Sequence, residues 1–282
     1  MKHKLSTGQL IFRVVVYTVC ILLALLSIFP FVIMIINATR STPEIQQKTL
    51  SLIPSHYFFN NIKILEGKSF QPILGFKNSF IISSATTLLT LYFSALTAHA
   101  LVSYNWKMRQ PFFTFIMVVM MIPAQITGIG FFQFMYSLKL TNNFLPLIIP
   151  AIAAPAGVFF MRQYMLASLP LDLLEAARID GAHEFFTFNR IILPLVKPAL
   201  ATQGIFAFVT SWNALFMPMV LLTSAENYTM PLMVNLLRGD IYKTEYGAVY
   251  LALTLTVLPL FVVYFSLSKH IIAGVALGGV KG

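Results

Sequence analysis

Residues 14–36 of the chain read VVVYTVCILLALLSIFPFVIMII and contain no Asp, Glu, Lys or Arg. A bilayer core about 30 Å thick is crossed by about 20 helical residues, so this stretch is long enough to span a membrane. The whole chain of 282 residues has the same character, because 58% of it is hydrophobic and only 10% is charged. A soluble domain carries about 25% charged residues. The sequence therefore predicts an integral membrane protein.

Further uncharged apolar stretches of similar length follow, and together they predict six transmembrane segments: residues 14–36, 78–104, 112–138, 143–161, 199–222 and 247–268. Inside lipid every backbone N–H and C=O group must be paired within the protein, which favours helices over isolated strands. We therefore expect an all-α polytopic membrane protein whose core domain spans residues 78–268.

The loops between these segments set the expected orientation in the membrane. Six crossings place both termini on one side, together with residues 105–111 and the connecting loop 162–198. That side carries eleven of the 19 Lys and Arg residues, and the outer loops 37–77 and 223–246 with the 139–142 turn carry the other eight. Lys and Arg close to segment ends favour the cytoplasmic side. The N-terminal residues 1–13 and the tail 269–282 are therefore predicted to be cytoplasmic.

The connecting loop contains the most informative stretch, LPLDLLEAARIDGA at residues 169–182. Pro170 suits a first helical turn, and acidic residues early in the helix suit its positive end. Gly181 can end the helix in a left-handed conformation. A second short helix is expected over about residues 184–192, with Pro194 ending it.

The first of these helices presents small and charged side chains, namely Glu175, Ala176, Ala177, Arg178 and Asp180. Small residues allow a partner backbone to approach closely, so the helix could enter a groove on another protein. An amphipathic helix pair could equally rest on the lipid headgroups. The residues by themselves leave both interpretations open.

This loop resembles the cytoplasmic signature of ABC importer permeases at the following positions: Glu175, Ala176, Ala177, Gly181, Ile191, Leu193 and Pro194. Trp212-Asn213 followed by Phe216-Met217-Pro218 resembles the carbohydrate-uptake branch of that family. The ending ALGGVKG at residues 276–282 is similar to the tail of the smaller, six-helix maltose-type permease.

The resemblance implies a type I ABC importer permease fold with a cytoplasmic coupling helix between transmembrane helices 4 and 5. It implies partners: a second, larger permease, an ATPase homodimer, an extracytoplasmic solute-binding protein and a carbohydrate substrate. ATP and Mg would be bound by the ATPase subunits, with no cofactor and no catalysis on this chain. The implied ATPase-coupling residues are Glu175, Ala176, Ala177, Arg178, Asp180, Gly181, Leu193 and Pro194, and Gly278 and Gly279 would contact the ATPase from the tail.

Two polar positions inside the membrane segments have alternative interpretations. Trp212 and Asn213 could line the translocation path, or they could simply pack and hydrogen-bond between helices. His99 is expected to be an interhelical hydrogen-bond partner rather than a proton relay. Gly67-Lys68-Ser69 lacks the glycine that a phosphate-binding loop needs at position 62.

Other classes of protein fit the sequence less well. The net charge of +10 is spread along the chain without a basic stripe, which suits loops beside anionic lipid rather than nucleic acid. Cys20 is the only cysteine, and no catalytic or metal-ligating set is apparent. A self-contained secondary carrier or channel remains the alternative, although ion-driven carriers usually place ionisable residues mid-membrane.

Overall fold

The computed structural model describes residues 7–68, 70–170, 172–238 and 244–279. Within these ranges every regular element is a helix. The α-helices in chain order are α1 Thr7–Asn37, α2 Thr42–Gln47, α3 Phe58–Gly67, α4 Pro72–Ser103, α5 Arg109–Met120, α6 Ala124–Ser137, α7 Leu145–Ile148, α8 Pro155–Ser168, α9 Asp172–Ile179, α10 Glu184–Thr187, α11 Leu193–Leu195, α12 Lys197–Trp212, α13 Phe216–Leu221, α14 Met230–Arg238 and α15 Tyr246–Gly279. Two short 3-10 helices, Ile149–Ile152 and Ala225–Asn227, and one π-helix, Phe188–Ile192, complete the set.

The predicted all-helical class is confirmed for these residues, but the count of six spans is not. Among the described residues, four helical stretches are long and apolar enough to cross a membrane: Gly8–Asn37, Pro72–Ser103, Leu145–Ser168 and Tyr246–Ser266. The third of them consists of α7, a 3-10 helix and α8. Two bent pairs bring the number of candidate spans to at most six: Arg109–Met120 with Gln125–Ser137, and Glu184–Leu195 with Lys197–Trp212. The second pair includes residues that the sequence assigned to the cytoplasmic loop.

The predicted third segment, 112–138, is not one continuous helix. It is split into α5 and α6, whose axes differ by 96°. Pro123 lies at the break and has no backbone N–H to donate, and it also disfavours helical geometry at Ile122. The predicted fifth segment, 199–222, is also interrupted, because α12 ends at Trp212 and α13 begins at Phe216.

Two other segments are longer than predicted. The fourth was expected over residues 143–161, but α8 continues to Ser168. The sixth was expected over residues 247–268, with a tail from 269, whereas α15 continues as helix to Gly279. Hydrophobicity locates the apolar part of a helix, and a helix continues beyond that part until a residue such as Pro or Gly ends it.

The described residues form two compact units, one within residues 1–70 and 234–257 and the other within 71–233 and 258–282. In the first unit the buried side chain of Arg40 joins the end of α1 to α2. Its guanidinium donates to the Asn37 side-chain oxygen at 2.9 Å and to the carbonyls of Lys48 and Glu44, each at 2.7 Å. The cation therefore joins the end of α1 to two carbonyl groups at the C-terminal end of α2.

Asn61 continues this arrangement in the first unit. Its side-chain amide is 1% exposed and donates to the carbonyls of Ala38, at 2.9 Å, and Arg40, at 3.0 Å. Gly247, in the first turn of α15, packs against the same atoms. A Cβ atom added at Gly247 would lie 2.1 Å from the Arg40 carbonyl oxygen and 2.6 Å from the Asn61 amide nitrogen.

In the second unit α4 is the central helix and packs against α8 and α12. Its Ala95 and Ala98 are completely buried, so their small side chains let the neighbouring helices approach closely. The apolar core at this point has the following buried members: Ala95, Ala98, Val102, Met161, Met165, Leu174, Phe188, Ile192, Val196 and Ala199. The connecting segment between α8 and α12 thus contributes side chains to the core of the helix bundle.

We predict that Gly247→Ala lowers the free energy of unfolding by about 1–3 kcal/mol, the typical cost of overpacking a well-packed core. The added methyl group would collide with a backbone oxygen that is itself fixed by Asn61. The measurement is the midpoint of thermal unfolding of the purified protein in detergent.

Gly130→Ala is the matched control, because a Cβ atom at Gly130 would meet nothing within 4 Å. Equal unfolding midpoints for the two variants would show that the contact at Gly247 is not tight.

Candidate functional site

The first helix of the connecting segment, α9, ends as its sequence predicts. Gly181 has a φ of +76°, in the left-handed region. The N–H of Gly181 donates to the Arg178 carbonyl at 3.0 Å, and the N–H of Ala182 donates to the Ala177 carbonyl at 2.9 Å. These two bonds form a Schellman motif, which satisfies carbonyls at the helix end. The prediction of a left-handed stop at Gly181 is confirmed. The predicted first-turn position of Pro170 is wrong, because α9 begins at Asp172.

The exposed and buried faces of α9 differ from the expectation at one residue. Leu174 and Ala177 are 2% and 6% exposed, so Ala177 packs inward and adds no surface for a partner. Glu175 and Ala176 are exposed, and Ile179 is 86% exposed. The 3.6-residue helical period places Leu174 and Ala177 on one face and Glu175 and Ile179 on the other.

The chain then turns at Gly181 and continues through three short helical pieces. His183 is the N-cap residue of α10, and its ring Nδ1 accepts a hydrogen bond from the Phe185 N–H at 3.2 Å. Pro194 does not end the helix as predicted. It is exposed and lies within α11, which ends at Leu195, because proline is tolerated in a first helical turn. Leu193 is half-buried and packs on the core of the second unit.

An ion pair closes the turn between α9 and α10. The Arg178 Nε donates to the Glu184 carboxylate at 3.0 Å, and the Tyr104 hydroxyl donates to the other carboxylate oxygen. These hydrogen bonds lower the pKa of Glu184, mainly through Tyr104, and the bond to Glu184 raises the pKa of Arg178. The Arg178 guanidinium also lies 5.1 Å from the centre of the Tyr104 ring. The turn is therefore connected to the residue after α4.

Large apolar side chains surround this ion pair on the surface. Phe185 is 63% exposed and Phe186 is 54% exposed, while Leu173 on α9 is 45% exposed. Together with Glu175, Ala176 and Ile179 they form a surface of mixed apolar and charged character. We call it the coupling surface because Glu175 and Ala176 are among the predicted ATPase-coupling residues. Asp180, also exposed, lies at its edge before Gly181.

Within the part of the chain that the structure describes, His99 forms no hydrogen bond to another helix, contrary to the expectation. Its Nδ1 bonds the Ser103 hydroxyl at 2.8 Å, within the same helix. The contact to another element is a ring stacking on Phe188, with centroids 5.6 Å apart. Burial at 2% exposure and this stacking give His99 a packing role beneath the connecting segment.

A cavity of about 720 Å³ lies in the second unit. Its wall is formed by α4, α6, the α7–α8 region, α12 and α13, and its volume falls in the range of about 300–1,000 Å³ typical of small-molecule sites. The face of α12 that lines it consists of Gln203, Phe206, Ala207, Thr210 and Ser211, and Ala214 lines it just after the end of the helix.

Trp212 and Asn213 do not line this cavity. Trp212 is 2% exposed and stacks between Phe76 and Phe208, with ring centroids 6.2 and 5.7 Å away. Its ring therefore lies in the protein core, as the packing alternative expected. Asn213 is exposed and follows the last residue of α12. Their neighbours Thr210, Ser211 and Ala214 line the cavity instead.

Sequence reasoning missed three residues that the structure brings into these sites: Tyr104, Glu184 and Gln203. Gln203 had a detectable signal, because an amide side chain within an apolar segment usually faces the protein interior. Tyr104 and Glu184 are 80 positions apart, and no local pattern connects them.

The predicted tail contact with the ATPase lies only partly within the described residues. Gly278 and Gly279 belong to the backbone of α15, and residues 280–282 of the tail lie outside the described residues. Among the residues that the structure describes, no group of three or more His, Cys, Asp or Glu side chains is arranged to hold a metal ion.

Comparison with known proteins places the chain in a family. Residues 90–276 match the family described as "Binding-protein-dependent transport system inner membrane component". The arabinooligosaccharides transport system permease protein AraQ of Halalkalibacterium halodurans is 35% identical over 262 residues, which cover 92% of this chain and 93% of that protein. The lactose transport system permease protein LacG of Rhizobium radiobacter is 31% identical over 268 residues, covering 95% and 96%.

A solved structure shares the fold. It is the crystal structure of a bacterial ABC transporter involved in the import of the acidic polysaccharide alginate, and one of its chains superimposes with a TM-score of 0.78 at 24% identity. The match covers 94% of this chain and 98% of that one. The family match, the two permease relatives and the shared fold together lead to one conclusion: this chain belongs to the binding-protein-dependent transport system inner membrane components, the permease subunits of sugar ABC transporters.

Proposed function

We propose that the chain is the smaller of two permease subunits of an ATP-driven importer for a carbohydrate. It pairs with a second, larger permease and with an ATPase homodimer that binds ATP and Mg. An extracytoplasmic solute-binding protein delivers the substrate. The chain itself catalyses no reaction, and both of its termini lie in the cytoplasm. The carbohydrate assignment is supported by the names of the relatives, which transport arabinooligosaccharides and lactose.

The observation that carries this proposal is the anchoring of the coupling surface in the core of the bundle. Leu174, Phe188 and Ile192 of the connecting segment are buried together with residues of α4, α8 and α12. A close-packed interior transmits displacement, because its side chains have few voids into which to yield. A force applied to the coupling surface therefore reaches the membrane helices directly.

The chemistry of the coupling surface suits a protein groove. Ile179, Phe185 and Phe186 present large apolar areas beside Glu175 and the Arg178–Glu184 pair. Aromatic residues and Arg are enriched in protein interfaces, where burying the apolar rings contributes most of the affinity. Ala176 adds a small exposed position at which another backbone can approach closely.

Coupling also requires that the two states of the assembly differ in their affinity for ATP. A ligand shifts a conformational equilibrium only by the difference between its affinities for the two states. On this proposal closure of the ATPase dimer on ATP moves α9 and α10, and the core contacts of Leu174 and Phe188 convert that movement into a change of access. Gly278 and Gly279 in α15 are the proposed second contact to the ATPase subunits.

We predict that Glu175→Lys lowers both the amount of ATPase that co-purifies with the assembled permease and the rate of sugar uptake, each by at least about tenfold, the factor that corresponds to 1.4 kcal/mol. Charge reversal on the exposed face of α9 opposes docking without disturbing the buried Leu174. The readouts are co-purification of the ATPase and uptake of labelled sugar by cells.

Glu66→Lys is the matched control, since Glu66 is also exposed and lies in α3 of the first unit. Normal ATPase recovery with Glu175→Lys would contradict the docking proposal.

We predict a graded effect of substitutions at Gly181. Gly181→Ala costs about 1–2 kcal/mol, because an L-residue is strained at a positive φ. Gly181→Asn costs less, because Asn is tolerated in left-handed helix ends. Apart from its two chain neighbours, no described residue has an atom within 4 Å of a Cβ at this position, so conformation alone sets the order. ATP-dependent uptake should therefore fall in the order glycine, asparagine, alanine. Equal uptake for Ala and Asn would show that the left-handed turn is unimportant for coupling.

We predict that the purified chain reconstituted alone in lipid vesicles transports no sugar, whereas vesicles containing both permeases, the ATPase and the binding protein accumulate sugar when ATP is supplied. Flux of arabinotriose or lactose through the chain alone would instead favour a self-contained carrier or channel.

A further inference from the structure

Among the described residues, none that lines the cavity of the second unit has an ionisable side chain. Its polar lining consists of hydroxyl groups, among them Thr86, Thr90, Thr127, Thr210 and Ser211, and of a single amide, Gln203. The rest of the wall is apolar. A charged ligand entering this space would lose hydration without meeting an opposite charge, which costs several kcal/mol per ion. The lining therefore suits a neutral ligand.

Two side chains in this wall, those of Thr229 and Gln203, have no hydrogen-bond partner among the described residues, and Gln203 is the larger of the two. Its side chain is 6% exposed, and neither its amide nitrogen nor its amide oxygen has a hydrogen-bond partner among the described residues. The Ser94 hydroxyl beside it is in the same condition. Unpaired buried polar groups are rare in folded proteins, because each costs about 1–3 kcal/mol.

Gly157 leaves the space in which these two groups lie. A Cβ atom there would lie 2.4 Å from both the Gln203 amide nitrogen and the Ser94 oxygen, so only glycine leaves room for these groups. Gly157 is in the first turn of α8.

Aromatic rings complete the wall. Phe131, Phe160 and Phe206 line the cavity together with the polar groups. Apolar surface with a few convergent polar groups is the usual composition of a small-molecule site. A hydroxyl group both donates and accepts, and an amide offers one group of each kind, so Gln203 is suited to a pair of neighbouring hydroxyls.

We propose that this cavity is a binding site for a neutral, hydroxyl-rich ligand, one or two units of the transported carbohydrate, and that Gln203 is a specificity-determining contact in it. Thr210 and Ser211, on the same face of α12, add further hydrogen bonds, and the aromatic rings cover the apolar faces of the sugar. The site excludes anionic sugars because it offers no cation. This inference rests on the proposed function, of which it names the substrate class and the contact residues.

The test uses the complete transporter and a reporter cysteine in the cavity. Cys20 is exposed and is first replaced by Ser, and Ala207→Cys then places a thiol one helical turn from Gln203. The rate of its reaction with a small neutral maleimide is measured without sugar and with millimolar arabinotriose, lactose or digalacturonate. We expect the neutral sugar that is transported to slow labelling at least fivefold, and digalacturonate to have no effect.

The second arm adds Gln203→Leu to the reporter protein, with Gln133→Leu as the matched control. Gln133 is an exposed glutamine of α6 outside the cavity wall. Loss of one neutral hydrogen bond weakens binding by about two- to tenfold, so protection should need correspondingly more sugar with Gln203→Leu and be unchanged with Gln133→Leu. Co-purification of the ATPase checks that each variant assembles. We expect Gln203→Leu to assemble normally, because the Gln203 amide has no hydrogen-bond partner among the described residues.

The outcomes distinguish this proposal from the proposed function. ATP-dependent uptake with no protection of the cysteine, or with equal protection in the Gln203→Leu and Gln133→Leu variants, would overturn the cavity site and leave the importer function in place. A cysteine that stays unreactive without sugar would show that another protein segment fills the cavity, which also overturns the proposal. Protection by digalacturonate alone would overturn the neutral-ligand assignment. Absence of ATP-dependent uptake in the complete assembly would overturn the proposed function itself.

Discussion

Leu174, Phe188 and Ile192 place side chains from a charged connecting segment inside the apolar core that α4, α8 and α12 share. This contact is the constraint on which the rest of the arrangement depends. Without it, α9 and α10 would be a polar loop beside the membrane, and movement of their surface would not reach the helices. Because the interior is packed as densely as an organic crystal, the segment and the bundle are expected to move together. The Tyr104–Glu184–Arg178 contacts add a second connection to the end of α4.

Proline residues lie where the apolar segments of this chain are divided into shorter helices. Pro123 separates α5 from α6, and Pro146, Pro150 and Pro155 lie at the starts of the three short pieces that replace a single fourth helix. Irregular backbone at membrane depth is tolerated where it is buried in protein or lines a cavity. Pro146 and Pro150 do line the cavity, as do residues at the start of α8. The breaks that interrupt the hydrophobic segments are therefore also the features that shape the candidate ligand site.

The two proposed activities of the chain lie on different parts of the same core. The coupling surface is exposed and combines apolar rings with an ion pair, and it connects to the core through the buried face of α9. Helix α12 lines the cavity with the face that carries Gln203 and Thr210. At the start of the same helix, Val196 and Ala199 belong to the core that also contains the buried face of α9. Helix α12 is thus the element through which movement at the coupling surface would change the cavity.

The amino-acid sequence by itself determined the class of the protein, the family signature and the turn at Gly181. These features depend on composition, on residue identities at fixed spacing and on the conformational freedom of one glycine, all of which are local. The tertiary structure decided which face of α9 is buried, so that Ala177 packs inward and Ile179 with Phe185 and Phe186 is exposed. It also decided that Trp212 belongs to the core while Gln203 lines the cavity, and that Tyr104 meets Glu184. Such assignments depend on which neighbour covers each side chain, and that is fixed by contacts between residues far apart in the chain.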